Sequence, residues 1–446
     1  MRLVAAFAGS RGDVQPGLAL SLELTRRGHD VTMAVPPNLV DFAESAGVQA
    51  VPYGTDTAEL LGSATVTDEL RSRDPVRRLR AVRAVTRAGA LQATQDLRDA
   101  CDGADLLVGG SVGQERALAV AEARGIGYLP VHLCPLRPNR RVGVVAPRDR
   151  ELPGWATAAT WHLLEQALWT TSRRDENSVR AALGLRPART PAGRRIDARG
   201  LPAVQAYDPV LFPGLARDWG AGRPMVGFLA VPPDTGRSLT QGTDIADLAT
   251  WLRAGPPPVY VGFGSMSVAD PPAVRSAVLA ATRGHRVLIA SGWGGMFSGV
   301  DRDVDADDRV RVVDSVDHAA VLPLCAAAVH HGGAGTTAAT LRAGVPAVVC
   351  WLGADQPLWG RAVSRAGVGT ALRLPSITPD GLGGALARVL TAGMRARAET
   401  VAAEMVTPAE AVTAAAEVVE SAVAPPHRVT NPTSGAARRA ERIAGT

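Results

Sequence analysis

The stretch Val329-His330-His331-Gly332-Gly333-Ala334-Gly335-Thr336-Thr337 constrains this chain more than any other. Ala326 to Val329 reads as a short buried strand and Thr336 to Ala343 as the first turns of a helix, so the glycines form a turn that lets backbone N–H groups approach a ligand. Such a turn binds anions. The unpaired N–H groups and positive dipole end of the helix at Thr336 suit a diphosphate, to which the Thr336 hydroxyl and the His331 imidazole add donors. Gly344-Val345-Pro346 stops the helix, Ala347 to Cys350 reads as a second strand, and the loop after it carries Asp355 and Gln356. Two successive parallel strands then end in loops at one sheet edge, where open α/β folds bind ligands. A carboxylate beside an amide there suits a polyhydroxylated ring, whose hydroxyls can donate to both.

His331-Gly332-Gly333-Ala334-Gly335-Thr336-Thr337 with the later Gly353-Ala354-Asp355-Gln356 and Trp359-Gly360 resembles the donor-site signature of the family 1 nucleotide-sugar glycosyltransferases of GT-B fold. The resemblance is nearest to sterol 3β-glucosyltransferases and to actinobacterial enzymes that glycosylate antibiotics and glycopeptidolipids. It implies an α/β protein of two doubly wound Rossmann-like domains facing across a cleft.

The length of 446 residues exceeds what one hydrophobic core usually supports, so two domains are expected on size alone. A net charge of +5 is made entirely with arginine, since the sequence contains no lysine. That matches codon bias from a GC-rich genome, and no aromatic-plus-basic motif of a nucleic-acid module accompanies the charge, so DNA and RNA are excluded as partners. The four cysteines, Cys101, Cys134, Cys325 and Cys350, are scattered in apolar surroundings without metal-ligand spacing and read as buried thiols. The chain opens on a strand, Leu3 to Ala8, with no charged-then-apolar leader, and no apolar run is long enough to span a bilayer. A cytoplasmic protein is expected, as monomer or dimer.

The first unit reads as strand Leu3 to Ala8, loop Gly9 to Pro16, helix from about Gly17 to Arg27, and strand Val31 to Val35. The loop lacks the G-x-G-x-x-G fingerprint and no acidic residue ends the second strand, which argues against a dinucleotide cofactor. Gly9-Ser10-Arg11-Gly12-Asp13-Val14-Gln15-Pro16 resembles the N-terminal signature of the sterol and glycopeptide glucosyltransferases, in which this aspartate is the proposed catalytic base. Many other family members carry a histidine backed by an aspartate instead, so that dyad does not transfer. The simpler role for Asp13 is to cap the following helix, which aspartate does well; the two roles can coexist. The resemblance places Ser10, Arg11 and Gly12 beside the acceptor or the diphosphate.

Further α/β units follow to Val131, interrupted from Thr55 to Arg87 and followed by a second excursion from Leu133 to Trp169. Both are too long for simple connections, and long loops in folded domains are usually functional. Trp155, Trp161 and Trp169 with Leu163, Leu164 and Leu168 make an apolar helix that either fills the core or lines an acceptor pocket. The arginines from Arg71 to Arg87 form a basic stripe, read as a solvated face; a basic amphipathic helix can also rest on an anionic membrane, which makes peripheral membrane contact the second reading.

Proline and glycine accumulate from 209 to 258, a hinge that separates a domain at 1–208 from one at 259–407; the resemblance implies that the first binds the acceptor and the second the nucleotide sugar. The resemblance implies that a helix at 408–424 returns to the first domain; the polar, arginine-rich 425–446 is expected to be disordered. Loops after three strands of the second domain, containing Ser265, Trp293 and Val316 with His318, resemble the family's donor contacts, the last holding the nucleotide base. Asp317-His318 departs from the Pro-His or Pro-Gln of many relatives. The acidic run from Asp301 to Asp308 lacks the glycine and glutamate of a calcium loop, having Ala306 and Val312 there, and reads as a solvated turn.

The resemblance therefore implies inverting, metal-independent transfer of a hexose, glucose by likeness, from a UDP- or TDP-sugar to a hydroxyl of a lipophilic natural product. Asp13 is the base; His331, Gly333, Gly335 and Thr336 hold the diphosphate; Asp355 and Gln356 hold the sugar. No cofactor or metal is implied. A nucleotide-sugar 2-epimerase on the same fold would leave the long excursions unexplained, and a non-catalytic nucleotide-sugar-binding protein would not need Asp13, Asp355 and Gln356.

Overall fold

The computed structural model describes residues 1–62, 89–144, 152–232, 234–235, 245–266, 268, 270–292, 294, 296–297 and 309–423. The basic stripe at 71–87, Trp293, the acidic run at 301–308 and the tail at 425–446 thus lie outside the described residues. Among the described residues the strands form two six-stranded parallel sheets. The first holds β1 (Arg2–Ala6), β2 (Asp30–Val35), β3 (Gln49–Pro52), β4 (Leu106–Gly109), β5 (Gly127–His132) and β6 (Val204–Gln205) in the order β3-β2-β1-β4-β5-β6. The second holds β7 (Val259–Gly262), β8 (Val287–Ala290), β9 (Val310–Val313), β10 (Ala327–His330), β11 (Ala347–Trp351) and β12 (Gly369–Arg373) in the order β12-β11-β10-β7-β8-β9. Read from the first strand of each, the two orders are the same, the doubly wound 3-2-1-4-5-6 arrangement. Each sheet therefore has one switch point, between β1 and β4 in the first and between β7 and β10 in the second.

The strands are short apolar runs because helices cover both faces of a parallel sheet. Val259-Tyr260-Val261-Gly262 and Val287-Leu288-Ile289-Ala290 are buried at every position. One element begins well before its sequence signals suggest. The first helix spans Arg11–Arg26 rather than starting near Gly17, with Ser10 as N-cap and Asp13 at the third position of a capping box. Pro16 consequently lies inside the helix, where its missing N–H forfeits only a bond to the Gly12 carbonyl near the helix start. Elements without clear sequence signals also appear, notably the two-residue β6, β12, and the helices Gln356–Arg365 and Ala392–Glu404. The second excursion closes in one long helix, Gly154–Ala182, that buries Trp161 and Trp169 but leaves Trp155 74% exposed. Trp161 donates from Nε1 to the Val142 carbonyl at 2.6 Å, which fixes the helix start to the loop after β5.

The chain crosses between the sheets twice. After β6, Tyr207, Phe212, Trp219 and Phe228 pack with Trp359 of the second sheet's layer in one apolar cluster. The second crossing, near Val406, leads into the helix Pro408–Val423, whose Ala411, Ala415, Ala416 and Val419 lie in the core of the first sheet beside Leu18, Leu20 and Val31. Glu420 on this helix pairs with Arg27 and His29 at 2.9 Å each. The buried Asp208 ties the two crossings together, accepting from Val210 N at 3.0 Å and from Val406 N at 2.8 Å.

Candidate active site

The two switch points face each other. On the first, the loop after β1 ends at Gly9, whose φ of +118° belongs to glycine, and any Cβ there would stand 2.5 Å from Asp13 Oδ2. That space is needed because Asp13 folds back on its own turn: Oδ2 accepts from Ser10 N at 2.8 Å and from Ser10 Oγ at 2.9 Å. Oδ1 has no hydrogen-bond partner among the described residues. Burial pushes the Asp13 carboxyl up to about 6; the Ser10 hydrogen bonds pull it down, and the charge of Asp355 adds to the rise. Asp13 thus caps its helix with one oxygen and keeps the other unspent.

On the second switch point, Gly332 at φ +86° leads β10 into the helix Ala334–Arg342. A Cβ on it would meet Val349 Cγ1 at 2.6 Å, so the turn lies flat against β11. The helix begins two residues earlier than its sequence suggests, with Gly333 as N-cap. Thr337 N is the first amide to be paired, to the Gly333 carbonyl at 2.9 Å, which leaves the amides of Ala334, Gly335 and Thr336 as the helix's open N-terminal donors. The His331 ring sits between Gly264 and Gly333, and burial lowers its pKa against a contrary pull from the Gly262 carbonyl. A neutral imidazole has one N–H to donate, so the tautomer that turns it away from the Gly262 carbonyl is the one that can meet an anion.

His318 starts a short helix capped by Asp317, which accepts from Ala319 N at 3.0 Å. Capping accounts for the aspartate at this position. The His318 Nε2 is 2.8 Å from the Tyr260 hydroxyl, and burial lowers its pKa to about 4, with the Arg11 charge contributing. That coupling brings Arg11 of the first half over the second; Arg11 also stacks on Phe42 at 4.7 Å. Val316 packs its side chain into the core with Leu248 and Val321, so only its backbone is available to a ligand. Ser265 lies in the turn after β7, next to Met266.

Asp355 and Gln356 differ in what they have left to offer. Gln356 is buried, with Oε1 accepting from Leu352 N at 2.8 Å and Gly353 N at 3.3 Å, and Nε2 directed to Met266 Sδ at 3.1 Å. In this conformation it organises its loop instead of facing the cleft. Asp355 accepts from Trp359 Nε1 at 2.8 Å through Oδ2. Burial raises its pKa, and that hydrogen bond acts against the rise. The residue before it, Ala354, is the one non-glycine residue with positive φ (54°) among those described, and such strain concentrates where a loop is held for function. The buried Cys134 after β5 is raised by burial and then by the charges of both Asp355 and Asp13, which places the three groups in one neighbourhood.

The structure therefore brings Asp13, Arg11, His318, His331, the Ala334–Thr336 amides and Asp355 into one cleft, while Gln356 and Val316 turn inward. Sequence reasoning missed the roles of Tyr260, Met266 and Trp359; only Trp359 carried a usable signal, standing four residues after Asp355 on one helix face. No group of three His, Cys, Asp or Glu side chains with metal-binding geometry occurs among the described residues. None of their helices is long and apolar enough to cross a membrane.

Residues 3–128 match the glycosyltransferase family 28 N-terminal domain, and residues 301–424 match the C-terminal domain of erythromycin biosynthesis protein CIII-like proteins. The chain is 41% identical over 426 residues to the uncharacterized glycosyltransferase Rv1524 of Mycobacterium tuberculosis, covering 95% of this chain and 99% of the relative. It is 34% identical over 426 residues to the vancomycin aglycone glucosyltransferase of Amycolatopsis orientalis, covering 93% of this chain and 96% of that one. Among solved structures, the glycosyltransferase of kitacinnamycin superposes with a TM-score of 0.69 at 19% identity over 95% of this chain and 99% of its own, a likeness of fold. With identity of this size running along nearly the whole of both chains, the protein belongs to the family 1 glycosyltransferases of GT-B fold.

Proposed function

We propose that the protein transfers a hexose, glucose by likeness to the vancomycin aglycone glucosyltransferase, from a UDP- or TDP-sugar to a hydroxyl of a lipophilic natural product, in the cytoplasm, with inversion and without metal. The observation that carries this reading is the facing pair of switch points: an unspent carboxylate oxygen on Asp13 opposite an open helix N-terminus at Gly333 to Thr336. The acceptor hydroxyl has a pKa far above neutral, so it needs a base as the bond forms rather than beforehand. Asp13 Oδ1 takes that proton while the acceptor oxygen bonds to the anomeric carbon. The bond from that carbon to the diphosphate breaks on the opposite face, which inverts the centre. The charge leaving on the diphosphate is met by amides fixed in advance and by neutral His331.

Incubation with labelled UDP-glucose or TDP-glucose tests the reading. Nucleotide release that depends on a lipophilic alcohol supports it; epimer formation without acceptor, or binding without turnover, overturns it. Two further outcomes are expected. EDTA leaves the rate nearly unchanged while His331→Ala weakens both donor binding and turnover, and an enzyme silenced by EDTA and restored by magnesium would show that the helix terminus does not suffice. The rate should also rise with pH through about 6 and level off above it, because Asp13 works as the carboxylate and titrates there. A profile flat from pH 5 to 8 excludes Asp13 as the base.

A further inference from the structure

Asp355, given a sugar-holding role above, is not positioned by its own loop alone. Its Oδ2 accepts from Trp359 Nε1 at 2.8 Å, one helical turn further on. Trp359 is fully buried, and the rings around it come from the segment between the two sheets: Phe228 at 5.4 Å, Phe212 at 5.7 Å and Tyr207 at 6.3 Å between centroids. Tyr207 is in turn fixed to the first sheet, donating from its hydroxyl to Gln205 Oε1 on β6 at 2.8 Å. Gln205 Nε2 reaches His132 Nδ1 on β5 at 3.0 Å. A continuous path of packed rings and hydrogen bonds therefore runs from β5 and β6 to one oxygen of Asp355.

We propose that Trp359 is a positioning residue through which the inter-sheet segment sets the Asp355 carboxylate for the sugar of the donor. The proposal rests on the sugar-binding role of Asp355. An indole N–H can only donate, so it holds the carboxylate by one oxygen, favours its ionised form and leaves the other oxygen to the ligand. The ring cannot tilt to follow Asp355, because aromatic side chains confine it from several sides. The nucleotide end of the donor, held at His331 and Thr336, is independent of this contact.

Trp359→Phe keeps an aromatic ring and removes the donor. Affinity for UDP and TDP should stay within about twofold, whereas UDP-glucose and TDP-glucose should bind about tenfold more weakly, the size of one lost hydrogen bond. The donor KM should rise by the same factor, and its acid limb should move to higher pH as Asp355 loses the donor that favours its charge. In an Asp355→Ala background the substitution should add almost nothing, since residues acting through one another are not additive. Loss of UDP and UDP-glucose affinity to the same degree, or an undiminished effect in the Asp355→Ala background, overturns the proposal and leaves the role of Asp355 standing. An Asp355→Ala variant with unchanged preference for UDP-glucose over UDP removes that role, and the proposal with it. Should Trp359→Phe fail to fold by circular dichroism, Phe212→Leu loosens the ring box without touching the N–H. It is expected to weaken UDP-glucose binding about threefold with UDP unchanged, and equal binding of UDP-glucose to wild type and this variant counts against the proposal.

Discussion

Asp13→Asn is expected to fold and to lose transfer by about a hundred- to ten-thousand-fold, the range for removing a general base, or about 3 to 5 kcal/mol of transition-state stabilisation. The amide oxygen can still accept from Ser10 N, so the cap that begins the Arg11–Arg26 helix survives. Stability should move opposite to activity. Burial raises the folded-state pKa of Asp13 from 3.8 to about 6, so between those values the folded chain keeps a proton that the unfolded chain has released. Folding stability contributed by this group therefore falls as pH climbs from about 4 to 6, and at neutral pH the carboxylate costs about 1 to 3 kcal/mol. Asp13→Asn removes that cost. Thermal unfolding at pH 7.5 should show a melting temperature equal to or above that of wild type, beside a nearly inactive enzyme. A variant within a few-fold of wild-type activity would reduce Asp13 to a helix cap, and a strongly destabilised one would mean that Ser10 and Asp13 hold the helix rather than serve the cleft.

The second large effect is expected at Asp355. A site built to hydrogen-bond a hydroxyl rejects the analogue lacking it, because its own buried polar groups are left unpaired. Wild type should turn over UDP-glucose or TDP-glucose faster than a TDP-deoxysugar, and Asp355→Ala should lower kcat/KM for the hexose donors by about a hundredfold, with a smaller loss for the deoxysugar. Comparing the three donors in both proteins decides the matter. Preference for the deoxysugar together with a harmless Asp355→Ala would end the assignment of a sugar-hydroxyl contact and the choice of glucose with it.

The parts of this site that could be read in the sequence are those made by backbone turns. Glycines between an apolar strand and a helix mark Gly332 to Thr336 because no other residue fits that bend, and Gly9 before Asp13 obeys the same steric rule. Side-chain direction was not readable. Asp355 and Gln356 are adjacent, yet Asp355 takes the Trp359 indole N–H on one oxygen while Gln356 spends its carbonyl on Leu352 and Gly353. Proline misled in a similar way. Pro16 suggested that the first helix starts after it, but the Ser10–Asp13 capping box outweighs one forfeited hydrogen bond and starts the helix at Arg11. The two-residue β6 offers too short a run for any periodicity, and its place is set by pairing with β5.

Asp208 has a mechanical consequence. The crossing that follows β6 and the crossing that precedes the helix Pro408–Val423 are some two hundred residues apart in the chain, yet one buried carboxylate holds an amide of each, Val210 and Val406. A displacement of either crossing is therefore felt by the other through Asp208, and neither connection between the sheets is anchored without its counterpart.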